Sequence, residues 1–265
     1  MASFEYDRDT AVTPDGTPGG YAATLTDRWS LLNGIPYGGY ALGVALRALA
    51  AEVDQPDPLV VSAYFLRRAT PGPAELTTEV VRRGRRITTG EVRLTQDGAE
   101  TLRVVANFTD LTAAQGRTTV FGEPPKLPPP EQCHALPGGI PGLTIRDRYE
   151  YRYPEPPGWQ EGKLSGDPHA ELWVRFTDGR DPDVLSLPAI ADAAPPAVME
   201  LGEWRSTIEL TVHLRAHPAP GWLACRVATR YIMDGYHEED VELWDSAGTL
   251  VAQGRQLALL PPKQA

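Results

Sequence analysis

Residues 64–76, YFLRRATPGPAEL, can be laid on residues 212–223, VHLRAHPAPGWL, and residues 91–108, EVRLTQDGAETLRVVANF, on residues 240–257, DVELWDSAGTLVAQGRQL. The offset is about 150 residues and changes by one at turns. A unit present only twice is too short for a solenoid, which needs at least about three stacked repeats, and implies two similar half-domains. The order of elements repeats with the letters. In the first half, residues 21–30 predict a strand and residues 37–53, YGGYALGVALRALAAEV, a helix with apolar spacing at Leu42, Ala45, Leu46 and Leu49. Four strands follow in LVVSAYFLR, AELTTEVVR, TTGEVRLTQ and TLRVVANFT, parted by Pro71-Gly72, an RRGRR run and Asp97-Gly98. In the second half, strands are expected at 145–153 and 170–177, a helix near 183–201, and strands in STIELTVHLRA, WLACRVATRY, EEDVELWDS and GTLVAQGRQLALL. A helix and an antiparallel sheet, occurring twice, predict an α+β fold in which each sheet wraps the helix it buries. Eleven of the 26 prolines fall between Pro124 and Pro168, where fixed φ and missing donors oppose regular structure. The expected division is 1–112, a proline-rich connector over 113–144, and 145–265.

Charge and composition narrow the function. Of the 265 residues 42% are hydrophobic and 23% charged, which suits a buried core and excludes a disordered or collagen-like chain. Lys+Arg 25 against Asp+Glu 35 gives a formal charge of -10, the wrong sign for clamping nucleic acid or an anionic bilayer, so neither is expected as a partner. Cys133 and Cys225 are too few for a metal cage or a disulfide framework and read as free thiols of a reducing compartment. The segment MASFEYDRDT has neither a basic nor an apolar signal region, and no window approaches 18 uninterrupted apolar residues. A cytoplasmic protein is expected.

In IPYGGYALGVAL and SAYFLRRATPG the first half resembles the acyl-CoA thioesterase II family, in the GG-containing start of a helix and in a strand with an FLR core. The second half adds Asp192 in LPAIADAAPP, Thr207 in STIEL and Gln256 in LVAQGRQL, which match that family's helix aspartate, strand-opening threonine and final-strand glutamine. The resemblance covers residues 21–110 and 145–260, and the order of its motifs carries it. It implies a tandem (double) hotdog fold, two antiparallel sheets each around a central helix, and a homodimer or larger homo-oligomer. It also implies hydrolysis of an acyl thioester, of coenzyme A or of an acyl carrier protein, with no cofactor and no metal. Three departures stand beside it. Tyr40 follows the paired glycines where the family commonly has Gln, Glu209-Leu210 replaces an Asp-His pair, and the strand LVVSAYFLR lacks a histidine often found there.

Thioester hydrolysis needs an activated water, a proton acceptor and a donor for the developing oxyanion. By the resemblance, Asp192 would deprotonate the water, Thr207 would hold it and Gln256 would position water or thioester. The helix start at Gly38, Gly39 and Tyr40 would offer backbone N–H groups to the substrate. Arg85 and Arg86 in the RRGRR turn would either bind the phosphates of coenzyme A or stay solvated. Periodicity alone sets Thr207 with Glu209, Thr211 and His213 on a polar face, opposite Ile208, Leu210, Val212 and Leu214, and so predicts exposure. Under the repeat, Thr207 falls opposite Leu59 and Gln256 opposite Ala106, so the polar residues occur in one half only. Two other readings stay open, a non-catalytic acyl- or CoA-binding protein and a hotdog dehydratase or hydratase. For the latter, HALPG at His134 has Leu143 where the dehydratase pattern has proline. No G-x-S-x-G elbow is present for a serine hydrolase.

Overall fold

In the computed structural model, which describes residues 4–204 and 206–260, the first half runs α1 (Glu5–Asp9), β1 (Thr13–Pro14), β2 (Gly20–Leu25), β3 (Ser30–Leu31) and β4 (Ile35–Pro36). It continues through α2 (Gly38–Ala50), β5 (Asp57–Phe65), β6 (Gly72–Arg82), β7 (Thr88–Gln96) and β8 (Ala99–Thr109). The second half runs β9 (His134–Ala135), β10 (Tyr149–Tyr153), α3 (Gly158–Glu161), β11 (His169–Phe176) and α4 (Leu187–Ala193). It ends in β12 (Thr207–Leu214), β13 (Leu223–Ala228), β14 (Ile232–Met233), β15 (Tyr236–Trp244) and β16 (Leu250–Leu259).

Except for β3 and β4, which pair only with each other, the strands join into one antiparallel sheet ordered β1-β2-β6-β7-β8-β5-β12-β16-β15-β13-β11-β10-β9, with β14 added beside β15. Read outward from its middle, β5-β8-β7-β6-β2 is mirrored by β12-β16-β15-β13-β11, so the repeat seen in the letters is a repeat of topology. The two halves meet where β5 pairs with β12, from Tyr64↔Glu209 to Val60↔His213, and Ser62 Oγ lies 2.9 Å from Thr211 Oγ1 across that seam.

α2 is apolar on nearly every side and is buried from Gly39 to Leu49 except at Arg47, as a helix enclosed by sheet must be. It packs on β2 and β5–β8 and, on its remaining side, on α4. α4 in turn packs on β12, β15 and β16. An aromatic cluster ties the start of α2 to the second half: Trp29 stacks on Tyr40 at 5.8 Å between centroids, and Tyr37 Oη lies 2.6 Å from Tyr149 Oη.

Four expectations change, the first being that the strand over 21–30 stops at Leu25 and gives way to a 3-10 turn over Asp27–Trp29. The helix near 183–201 shrinks to the seven residues of α4, because Pro195-Pro196 cannot continue it, and a 3-10 turn over Ala197–Leu201 follows. Two reciprocal hydrogen bonds fix the turn that leads into α4: Asp183 Oδ1 accepts from the Ser186 N–H at 2.8 Å and Ser186 Oγ from the Asp183 N–H at 2.9 Å. The strand over 145–153 begins only at Tyr149, after a 3-10 turn at Thr144–Asp147. The connector holds only a 3-10 turn and the two residues of β9 as regular structure, and it lies along the sheet, where Pro128 O accepts from Trp173 Nε1 at 2.9 Å. Among the described residues no helix is long and apolar enough to cross a membrane.

Candidate active site

Because α4 stops one residue after Asp192, the carboxyl group stands in the wall of a cavity of about 600 Å³. Gly38, Phe65, Thr207 and Gln256 line the same cavity. Asp192 Oδ2 accepts the backbone N–H of Gly39 at 2.5 Å. Tyr37, which precedes α2, makes no side-chain cap, so a carboxylate from the other half satisfies one of the open donors of the helix start. Burial pushes the Asp192 pKa up to about 6, and the Gly39 N–H pulls against that shift. Glycine is required at this contact: a Cβ on Gly39 would lie 2.6 Å from the Tyr37 ring and 2.9 Å from Asp192 Cβ.

Thr207 departs from the exposed position that alternation predicts. The pairing of β12 with β16 slips between Thr207 and Glu209, which leaves Ile208 as the extra residue of a β-bulge. Beyond it, Thr207 pairs with Ala258 while Leu210 pairs with Gln256, so Thr207 shares the inward face of Gln256 and Leu210. Its hydroxyl donates to Gln256 Oε1 at 2.5 Å. Gln256 Nε2 donates to Glu239 Oε1 at 2.6 Å, and Glu239 Oε2 accepts the Ala197 N–H at 2.6 Å. The result is a polar chain from the cavity into the protein, anchored on a carboxyl group that is 1% exposed. Burial pushes the Glu239 pKa up to about 7; the Ala197 and Gln256 N–H donors lower it, and the negative charge of Asp192 raises it.

Glu239 escaped the sequence reading because it sits in the acidic run Glu238-Glu239-Asp240. Alternation contains the missed signal: Glu239, Val241 and Leu243 share the inner face, whereas Glu238, Asp240 and Glu242 are outside. A glutamate in phase with valine and leucine marks a carboxyl group facing the core. In the first half the corresponding pair is Gly90↔Ala106, under Leu49 of the longer helix, where the second half has Glu239↔Gln256.

The remaining candidates separate. Gly38 lines the cavity, and a Cβ there would strike the Phe65 ring at 2.6 Å. Tyr40 does not reach the cavity: it is fully buried, and its hydroxyl donates to Asp9 O at 2.8 Å, so the aromatic cluster accounts for it. Arg85 and Arg86 are exposed in the turn after β6 and are not part of the cavity wall. Among the described residues the guanidinium groups at that wall are those of Arg67, Arg68 and Arg146.

Comparison with known proteins adds to this geometry. A family model described as the acyl-CoA thioesterase N-terminal domain matches residues 25–109, and one described as the acyl-CoA thioesterase C-terminal domain matches residues 124–260. The chain belongs to the acyl-CoA thioesterase family. This thioesterase-family chain is 32% identical to a candidate thioesterase II from Thermobifida fusca YX, whose crystal structure superposes with a TM-score of 0.89 over 99% of each chain. A conserved protein of unknown function with a hot dog fold from Alicyclobacillus acidocaldarius has a TM-score of 0.88 at 22% identity, covering 99% of this chain and 100% of that one. An uncharacterised protein of Mycobacterium tuberculosis is 28% identical over 91% of each sequence.

Proposed function

We propose that this chain is an acyl-CoA thioesterase built from two hotdog units, over 1–112 and 145–265 with the connector over 113–144, that hydrolyses its substrate by direct attack of water. The observation that carries the proposal is the carboxyl group of Asp192, held by the Gly39 N–H in a cavity it shares with the Thr207–Gln256–Glu239 chain.

In this reading the Asp192 carboxylate takes a proton from water as the water oxygen bonds to the thioester carbon. The carbonyl electrons move onto oxygen, where the start of α2 at Gly38 favours the negative charge. The oxyanion then collapses, the C–S bond breaks, and the thiolate of coenzyme A leaves and takes up the proton held by Asp192, which returns the base to its ionised form. Thr207 donates its hydroxyl hydrogen to Gln256, so its lone pairs are free to accept from the attacking water. Gln256 is itself oriented, because its amide N–H is committed to Glu239. A pKa near 6 leaves Asp192 mostly ionised at neutral pH yet more basic than an ordinary aspartate, as a general base requires. Two buried free cysteines suit a cytoplasmic enzyme. The half-exposed apolar side chains of Tyr64, Tyr236, Leu257 and Leu259 on the sheet support a homo-oligomer.

Release of free thiol from a panel of short, medium and long acyl-CoAs tests the proposal, with Asp192→Asn run beside the native protein. Turnover by the native protein and its loss in a folded Asp192→Asn variant is the expected result. Binding of acyl-CoA without turnover would instead make this an acyl-binding protein.

A further inference from the structure

The wall of the cavity contains a guanidinium group without a counter-ion. Arg146 sits in the 3-10 turn before β10 and lines the cavity with Leu143, Ile145 and Tyr151. Its guanidinium carbon lies 5.7 Å from the centre of the Tyr151 ring and 5.8 Å from that of Trp159. Among the described residues no carboxylate comes within ion-pair distance, and its one hydrogen bond is a long contact of 3.3 Å from Nη2 to Pro137 O. Nε is buried with no acceptor. The other arginines sunk into this molecule are treated differently: Arg180 bonds Asp7 and Asp183, and Arg148 bonds Glu5. Burial with no carboxylate nearby holds the Arg146 pKa below the usual guanidinium value. A cation kept partly desolvated, stacked on aromatic faces and left unpaired is a costly arrangement unless a ligand completes it.

Position says which part of a ligand that is. Tyr151, the ring beneath the guanidinium, donates its hydroxyl to Ala193 O at 2.7 Å, and Ala193 follows Asp192. Arg146 therefore stands about one side chain away from the end of α4 where the thioester would react, amid apolar and aromatic neighbours. The exposed Arg67 and Arg68 lie on the same wall and remain open to water, which suits strongly hydrated phosphates.

Resting on the thioesterase reading, we propose that Arg146 is a specificity residue that pairs with an oxyanion carried on the acyl group, so that the preferred substrates are acyl thioesters ending in a carboxylate. A planar carboxylate meets the fork of a guanidinium with two parallel hydrogen bonds, and Nη1, which has no partner among the described residues and is not closed off as Nε is, is the donor open to it. A neutral alkyl chain of the same length would leave the guanidinium unpaired.

The test compares glutaryl- and adipoyl-CoA with valeryl- and hexanoyl-CoA, their neutral counterparts of equal carbon number, on the native protein and on Arg146→Met and Arg146→Lys. The native protein is expected to favour the carboxylated member of each pair by roughly tenfold to a hundredfold in kcat/KM, the worth of a charged hydrogen bond. Arg146→Met should lower kcat/KM on the carboxylated member of each pair by roughly tenfold to a hundredfold more than on the neutral member, which erases the preference, and Arg146→Lys should keep part of it. Equal rates on both members of each pair, or an equal fall on both in Arg146→Met, would overturn the proposal. Binding of the thioethers S-(4-carboxybutyl)-CoA and S-pentyl-CoA is measured in parallel by calorimetry, because it needs no turnover. If the carboxylated thioether binds more tightly and only through Arg146 while no acyl-CoA is hydrolysed, the anion site stands and the hydrolase reading falls. If Arg146→Met weakens both thioethers and free CoA alike, the residue holds a CoA phosphate and this proposal fails. Circular dichroism of each variant, with Arg146→Lys as the variant that retains a cation over the rings, separates loss of folding from loss of recognition.

Discussion

Asp192 and Glu239 have both had their proton affinity raised by the fold, and that has opposite consequences for activity and for stability. The general base proposed for this site, Asp192, would work only when ionised, so kcat/KM should rise as pH increases through about 6 and level off above it. Glu239 feels the Asp192 charge, so the limb belongs to the pair and should be broader than a single titration. For stability, the folded pKa of Asp192 lies above its open-chain value of 3.8, so its contribution is present in full below that value and is lost as pH climbs to about 6. Two pH units correspond to about 3 kcal/mol as an upper bound. Asp192→Asn should accordingly be about 1–3 kcal/mol more stable than the native protein at pH 8, with little gain at pH 4, by urea unfolding at both pH values. The same variant should lose at least about a hundredfold in kcat. Glu239→Gln is a different experiment. A glutamine cannot accept from both Ala197 N–H and the Gln256 amide with equal ease, so Gln256 should turn over and reverse its hydrogen bond to Thr207. The expected outcome is a fall of roughly tenfold in kcat with KM little changed, and a narrowed pH limb. A uniform loss of folded protein in its place would make Glu239 structural only.

At the scale of elements, the site depends on where regular structure stops. The start of α2 must come within hydrogen-bond reach of α4, and Gly39 permits that. Gly39→Ala would set a methyl group 2.9 Å from both Ala189 O and Asp192 Cβ, so the helices must part. A loss of about 1–3 kcal/mol in stability is expected, together with a lower kcat from the displaced carboxylate, by thermal unfolding and thiol release. Deleting Ile208 would remove the bulge and make the register regular, Thr207↔Ala258, Glu209↔Leu257 and Leu210↔Gln256, so Thr207 keeps the inner face and turnover should survive, whereas Thr207→Ala should reduce it. These are also the places where the sequence was hardest to read. The helix over 37–53 and the four strands after it were legible because α2 is buried on all sides and turn residues part the strands at Pro71-Gly72 and Asp97-Gly98. The extent of α4 was not, since its apolar residues run on through Pro195-Pro196 into a 3-10 turn. Alternation carries no mark of a bulge and so by itself sets Thr207 on the outer face, where only the family resemblance points to the site, and the position of Tyr40 at the start of α2 does not distinguish a core ring from one in a cavity wall. Arg85 and Arg86 drew attention as a charge run, whereas Arg146 is a single arginine whose missing partner shows only in three dimensions.

For the whole molecule, the repeat explains both why the fold holds together and why the polar chain of its candidate site, Thr207–Gln256–Glu239, lies in one half. The β5–β12 seam and the α2–α4 contact join two units that each contribute to one environment, Gly39 from the first half and Asp192 from the second. In the first half the inner pair Gly90↔Ala106 leaves room for a 13-residue helix, and Leu49 fills it. In the second half the seven-residue α4 does not fill the same place, and Glu239↔Gln256 brings polar groups there. A division of labour of this kind requires that neither half loosen on its own, because the cavity is lined from both. Unfolding should therefore be a single transition, with calorimetric and van't Hoff enthalpies equal. Leu76→Ala tests this from a distance: Leu76 is 1% exposed in β6, pairs with Tyr21 and Leu94, and is no part of the cavity wall. Its truncation should cost about 2–5 kcal/mol. If the halves are one cooperative unit, hydrogen exchange of the β15 amides should accelerate by the same factor as that of the β7 amides, and thiol release should disappear at the same urea concentration as both. Acceleration confined to β7, with β15 and activity unmoved, would show that the halves open separately and that the first half serves the second only as a scaffold.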